Sequence, residues 1–200
     1  HSIMDHCTIG WTIDEAFSSR NAKNVTLQRT MLAETLNQAG HKNYDNRTNH
    51  GYAATIGGDC GSYHHNLLAH NEGRNWSLSG GLDGAGAYAG AHDVFNNVVY
   101  NWGGRATDGG THECNFVNNY YKMGPSTTRK VLLQADLEGT GSGTQSYYVA
   151  GNIRENVNGT KTTDKEGETY NYRLTNDQVL DWTVFVNKPF FESYAVIETA

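Results

Sequence analysis

Asparagine recurs in this chain at one fixed place in a short strand pattern, and that recurrence limits the fold more than any other feature. Segments 3–9, 25–31, 63–68, 94–99, 116–121 and 148–153 share alternating residues, then a small polar residue, then apolar residues. Aligned, they place Cys7, Thr30, Asn66, Asn97, Asn119 and Asn152 in one column. Cys7 and Thr30 are 23 residues apart, and Asn97 and Asn119 are 22 apart. The longer intervals are expected to hold loops. A unit of that length, repeated, is the coil of a solenoid, which buries its apolar face only against its neighbours. An amide in the column can bond its counterparts one coil above and below, using donor and acceptor together. Asn-Asn pairs also mark hairpin turns, but a hairpin needs a matched strand within a few residues. Val98-Val99-Tyr100 followed by Asn101-Trp102-Gly103-Gly104 supplies none. The expected fold is therefore all-β, a right-handed parallel β-helix with an inward asparagine ladder.

Composition agrees with strands and turns: 23 Gly, 12 Tyr, only 2 Pro and 18% charged residues. A net charge of −6 leaves no basic patch for phosphates, and no apolar run reaches membrane-spanning length. Neither nucleic acid nor membrane is an expected partner, and the chain is expected to be a monomer. One domain is read across 1–200, with coils to about 155 and a loop, strand and tail over about 156–200. Two excursions, 37–49 and 79–91, interrupt the coils and are expected to shape a groove. The chain runs from His1 directly into the apolar pair Ile3-Met4, so it is expected to be a piece lacking its N-terminal coils. Cys7, Cys60 and Cys114 are odd in number and lack metal-type spacing. Sequons at Asn24, Asn46, Asn75 and Asn158 point to a secreted glycoprotein.

Met4-Asp5-His6-Cys7, the run His64-His65-Asn66-Leu67-Leu68-Ala69-His70 and Arg74-Asn75 together resemble the pectate lyases of polysaccharide lyase family 1. Asn97 to Gly104 and Asn118 to Pro125 extend the resemblance, which covers roughly 3–128. It implies an extracellular enzyme that cleaves a polygalacturonate- or pectin-type uronan by calcium-assisted β-elimination. Arg74, eight residues past Asn66, falls at the family's catalytic arginine and is expected to be the base. A guanidinium is ordinarily protonated, so this role requires surroundings that disfavour its charge. Asp14 and Glu15 stand where the family has an acidic calcium ligand, and adjacent carboxylates suit a hard cation. His50 occupies the region of a substrate-contacting lysine, and His70 is expected to line the same groove. After Arg74 the family often continues with Pro and further Arg, whereas this chain has Asn75-Trp76-Ser77-Leu78-Ser79. Asn75 and Trp76 are expected to contact substrate instead, Trp76 by stacking on a sugar ring. A β-helix that binds glycan without turning it over is the alternative. A glycoside hydrolase would need paired Asp on adjacent strands facing the groove, and no such pair is evident.

Overall fold

A computed structural model describes residues 1–137, 139–175, 179–193 and 195–200. Its strands stack coil upon coil. The first coil holds β1 (Ser2–Asp5), β2 (Thr8–Gly10) and β3 (Phe17–Ser18), and the second β4 (Lys23–Gln28), β5 (Met31–Ala33) and β6 (Ala54–Gly57). The third holds β7 (Asp59–His64), β8 (Leu67–Ala69) and β9 (Ser77–Ser79). The fourth holds β10 (Ala91–Phe95), β11 (Val98–Tyr100) and β12 (Thr107–Gly110). Next come β13 (Glu113–Val117), β14 (Tyr120–Lys122) and β15 (Leu133–Leu137). The sixth coil contains β16 (Ser146–Ala150), β17 (Ile153–Glu155), β18 (Lys161–Thr163) and β19 (Tyr170–Leu174), and β20 (Phe185–Val186) follows. Equivalent strands pair in parallel into three sheets, which we call A (β1 to β20), B (β2 to β17) and C (β3 to β19). Only β18 departs, pairing antiparallel with β17 among the described strands. This is the parallel β-helix. β19 and β20 extend sheets C and A past residue 155, so coil stacking persists into the segment where the repeat fades from the sequence.

The ladder is the axis of the stack. Thr30 N–H donates to Asn66 Oδ1 (3.0 Å), and Asn66 Nδ2 donates to Asn97 Oδ1 (3.0 Å). Asn97 Nδ2 reaches Asn119 Oδ1 (3.0 Å), and Asn119 Nδ2 reaches Asn152 Oδ1 (2.9 Å). Each ladder amide also donates to a carbonyl of an adjoining coil, as Asn119 does to Val94 O at 3.0 Å. At the far end Asn152 Nδ2 meets Asp164 Oδ1 at 3.1 Å, so a carboxylate closes the series. Cys7 extends the column at the other end, its N–H donating to Thr30 Oγ1 at 3.3 Å.

The residue before each ladder position is left-handed: His6, Arg29, His65, Asn96, Asn118 and Gly151 all have positive φ. That one conformation turns the chain sharply from sheet A into sheet B. Asn tolerates it and Gly adopts it freely. At Gly151 a Cβ would also overlap Asn118 Oδ1 in the coil below.

Inward residues stack in register. In sheet A, Met4, Leu27, Tyr63, Val94, Phe116 and Val149 follow one another, and in sheet B, Ile9, Leu32, Leu68, Val99 and Tyr121 do. Burying a Leu, Val or Phe in such a column contributes about 1.5–3 kcal/mol. The sheet B column ends on Arg154, buried but bonded to the carbonyls of Lys130 (3.0 Å) and Glu168 (3.2 Å) and to the Glu168 carboxylate. Cys7, Cys60 and Cys114 are all unpaired.

The tail recrosses sheet A. Phe190 N–H donates to Asn115 Oδ1 (3.1 Å), and Asn115 Nδ2 returns a bond to Phe191 O (3.0 Å). Ser193 bonds Asp93, and Glu198 O accepts from both Asn96 (2.6 Å) and Asn118 (2.7 Å).

Replacing Asn119 by Leu strands the amide groups of Asn97 and Asn152, and should lower unfolding free energy by about 2–4 kcal/mol in urea titrations. His92 is wholly buried, and burial holds its pKa down to about 4 from an ordinary 6.5. Below pH 6.5 the unfolded chain therefore binds a proton that the folded chain refuses. His92 removes stability as pH falls from 6.5 toward 4, and none above. A His92→Phe variant should lose less stability than the wild type over that window in denaturant titrations.

Candidate active site

Sheet C presents a polar outer face. Its register places Ser18, Thr55, Ser77, Asp108, Gln134 and Asn171 side by side, one per coil, in a strip across the stack. Thr55 and Ser77 are small, and at Thr55, which is buried, the bend before sheet C brings larger groups over the strip.

Arg74 sits at that bend, with φ of +53°. The turn throws its side chain outward, and its guanidinium forms an ion pair with Glu15. Glu15 also accepts from Thr55 Oγ1 at 2.7 Å, which ties the first coil's acid to the second coil's strand. Asp14 Oδ1 lies 3.9 Å from Arg74 Nη1 and 3.1 Å from His50 Nε2. Thus Asp14, Glu15, His50 and Arg74, far apart in sequence, share one cluster. The 37–49 excursion builds its wall. Asn37 closes the excursion, accepting from the Gly51 N–H (3.1 Å) while its carbonyl accepts from the His50 N–H (2.8 Å). Tyr44 packs against His50 with ring centres 4.1 Å apart, and His50 packs tilted against Tyr52 at 4.4 Å.

Tyr52, Arg105 and Asp108 were not anticipated. The Arg74 guanidinium lies 4.2 Å from the Tyr52 ring centre and that of Arg105 lies 5.4 Å from it, so one ring faces two cations. Asp108 holds Arg105 with two bonds of 2.6 and 2.8 Å. A signal for Arg105 was present: it stands as far past Asn97 as Arg74 stands past Asn66. Burial and the positive charge of Arg105 both lower the Arg74 pKa, while Asp14 and Asp108 oppose them. Burial alone would lower the Arg105 pKa as well, but its pairing with Asp108 outweighs burial and raises it.

Three expected contacts lie elsewhere. Trp76 is fully buried, packed against Tyr63 at 5.7 Å, so it is a core residue and offers no face to a sugar. Asn75 is equally buried; its Nδ2 donates to Arg105 O (3.1 Å) and its carbonyl accepts from Thr107 and Tyr121. The bend is the reason: Arg74 takes the left-handed conformation that turns its side chain out, and Asn75 and Trp76, which precede β9, both turn into the core. His70 lies on the sheet B side of the bend, edge-on to Tyr100 and 2.9 Å from Asn101 Nδ2, outside the cluster. The 79–91 excursion leaves the opposite margin of sheet C, so the two long loops do not flank one side of the site.

Calcium takes six to eight oxygen ligands. Here two carboxylates converge, Glu15 already held by Arg74 and Thr55. Asp14 Oδ1 is buried without a hydrogen bond among the described residues, but His50 and Arg74 flank it. Among the described residues no group of three or more His, Cys, Asp or Glu is arranged for a metal. The residues present therefore do not by themselves fit the ion.

Fold and site together define a parallel β-helix protein whose polar sheet carries an arginine–carboxylate cluster. No family model matches the chain. It is 34% identical to a probable pectate lyase C of Aspergillus terreus over 132 residues, 63% of this chain and 27% of that protein. It is 30% identical to probable pectate lyase C proteins of Aspergillus fumigatus (152 residues) and Neosartorya fischeri (153 residues), covering 73% of this chain and 31% of each. The chain spans under a third of the length of these curated relatives. The similarities support its assignment to the pectate lyase family.

Trp76→Ala should cost about 3–5 kcal/mol of stability as a core truncation. Urea titrations of the variant against the wild type read that loss.

Proposed function

We propose that the chain carries the cleavage site of a polysaccharide lyase acting on a polygalacturonate- or pectin-type uronan, with Arg74 as the base. The observation that carries this reading is the half-buried guanidinium of Arg74, turned outward over the polar strip beside Arg105. Breaking the C5–H bond next to a carboxylate builds negative charge on that carboxylate, so fixed cations nearby favour it. Arg105, held rigidly by Asp108, serves as that cation, and His50 at the cluster's wall contacts the same carboxylate when protonated. Burial and Arg105 push the Arg74 pKa in the direction a base needs. Arg74 takes the C5 proton, and the C5–H electron pair forms the C4–C5 double bond. The C4–O4 bond then breaks, and the departing O4 takes a proton from solvent. Tyr52 stacked against both guanidinium groups fixes their orientation. No step is assigned to calcium, because the residues present do not complete its coordination.

The reading places the protein outside the cell, where such polysaccharides occur. Its sequon residues Asn24, Asn46 and Asn158 are exposed, which supports glycosylation there, whereas Asn75 is buried.

A second reading, glycan binding without turnover, is favoured by the Arg74–Glu15 ion pair, which holds the guanidinium charged. Ultraviolet absorbance of the unsaturated product on polygalacturonate separates the two. Arg74→Ala should lower turnover by on the order of 10²–10⁴-fold with an unchanged circular dichroism spectrum. Retained turnover would remove Arg74 from the chemistry, and measurable binding with no product from the wild type would favour the second reading.

A further inference from the structure

From Arg105 onward the outer face of sheet C opens into a cavity of about 240 Å³, whose far side, past Asp108, the cleavage chemistry does not use. Three guanidinium groups line it, from successive coils: Arg105 ahead of β12, Arg129 ahead of β15 and Arg173 in β19. Each is held by an acceptor on the strip or beside it. Asp108 grips Arg105, Gln134 bonds Arg129, and Asp136 lies 3.0 Å from Arg173 Nε. Three arginines against two aspartates leave this cavity cationic in a chain whose net charge is −6.

Chains of parallel strands rise about 5 Å per coil, so these arginines step along the solenoid axis at intervals on the order of one hexose unit. Arg105 belongs to both places, since it shares the Tyr52 ring with Arg74 and also lines the cavity.

We propose that this cavity is a carboxylate-binding subsite. In it Arg129 and Arg173 hold a uronate unit further along the same polysaccharide chain whose reacting unit lies at Arg74. Arginine suits the task because its planar fork meets a carboxylate with two bonds, and the paired acceptors keep each fork oriented before substrate arrives. Their bonds to Asp136 and Gln134 must be shared or exchanged, so the subsite adds discrimination for charged over esterified units more than raw affinity. The inference rests on the proposed uronan substrate, and its test does not depend on turnover.

Arg129→Gln, Arg173→Gln and the double variant should be compared by affinity electrophoresis in polygalacturonate, fully methyl-esterified pectin and neutral galactan. Both side chains are exposed, so each variant is expected to unfold thermally like the wild type. The double variant should bind polygalacturonate about tenfold more weakly, each single variant less so, with no change on the esterified or neutral polymer. Wild-type affinity for polygalacturonate in the double variant, or an equal loss on all three polymers, would overturn the subsite. Absence of unsaturated product from the wild type would instead overturn the lyase reading and leave this comparison standing.

Discussion

A buried primary amide has two donor hydrogens and an acceptor, and it is tolerable in an apolar interior only if all are used. In this protein each ladder asparagine meets that demand by borrowing from the coils above and below. Asn66, Asn97, Asn119 and Asn152 form one continuous series, and no member is satisfied alone. The requirement fixes the register of every strand around it, since slipping one coil by a residue would turn its amide to the outside. The apolar columns of sheets A and B follow from that register, and so does the outward placement of Arg74.

The site inherits its geometry from the same constraint. Asp14 and Glu15 come from the first coil, His50 and Thr55 from the second, Arg74 from the third and Arg105 from the fourth. No pair within a single coil could build this arrangement. Stacking sets the spacing between charges, and the bend ahead of sheet C sets their direction. The proposed site therefore spans four consecutive coils held at one phase, from the carboxylates of the first coil to the Arg105–Asp108 pair of the fourth.

Much of this was legible in the sequence, because a ladder column is a periodic signal that survives loops of different length. Six column positions, read without structure, are the six that bond along the axis or border it. The offset from the column also located Arg74 and, had it been applied twice, would have located Arg105. What the sequence did not reveal was direction. Trp76 and Asn75 follow Arg74 immediately, and proximity in sequence suggested a shared groove, yet the bend at Arg74 sends both of them inward. Tyr52 gave no sign of its role, because a ring becomes a platform only once two cations from other coils arrive over it. β19 and β20 were obscured for a related reason: both follow Asn152, the last ladder asparagine, with Asp164 ending the series.

The tail that recrosses sheet A has a consequence of its own. A solenoid in which each coil touches only its neighbours can in principle melt from one end, a layer at a time. Here Phe190, Phe191, Ser193 and Glu198 reach back to Asp93 and Asn96 on the fourth coil and to Asn115 and Asn118 on the fifth. The last part of the chain thus acts as a seam stitched across middle layers. Fraying that begins at the final coil is coupled to the layers beneath the active cluster, which turns a stack of separable storeys toward a single melting unit.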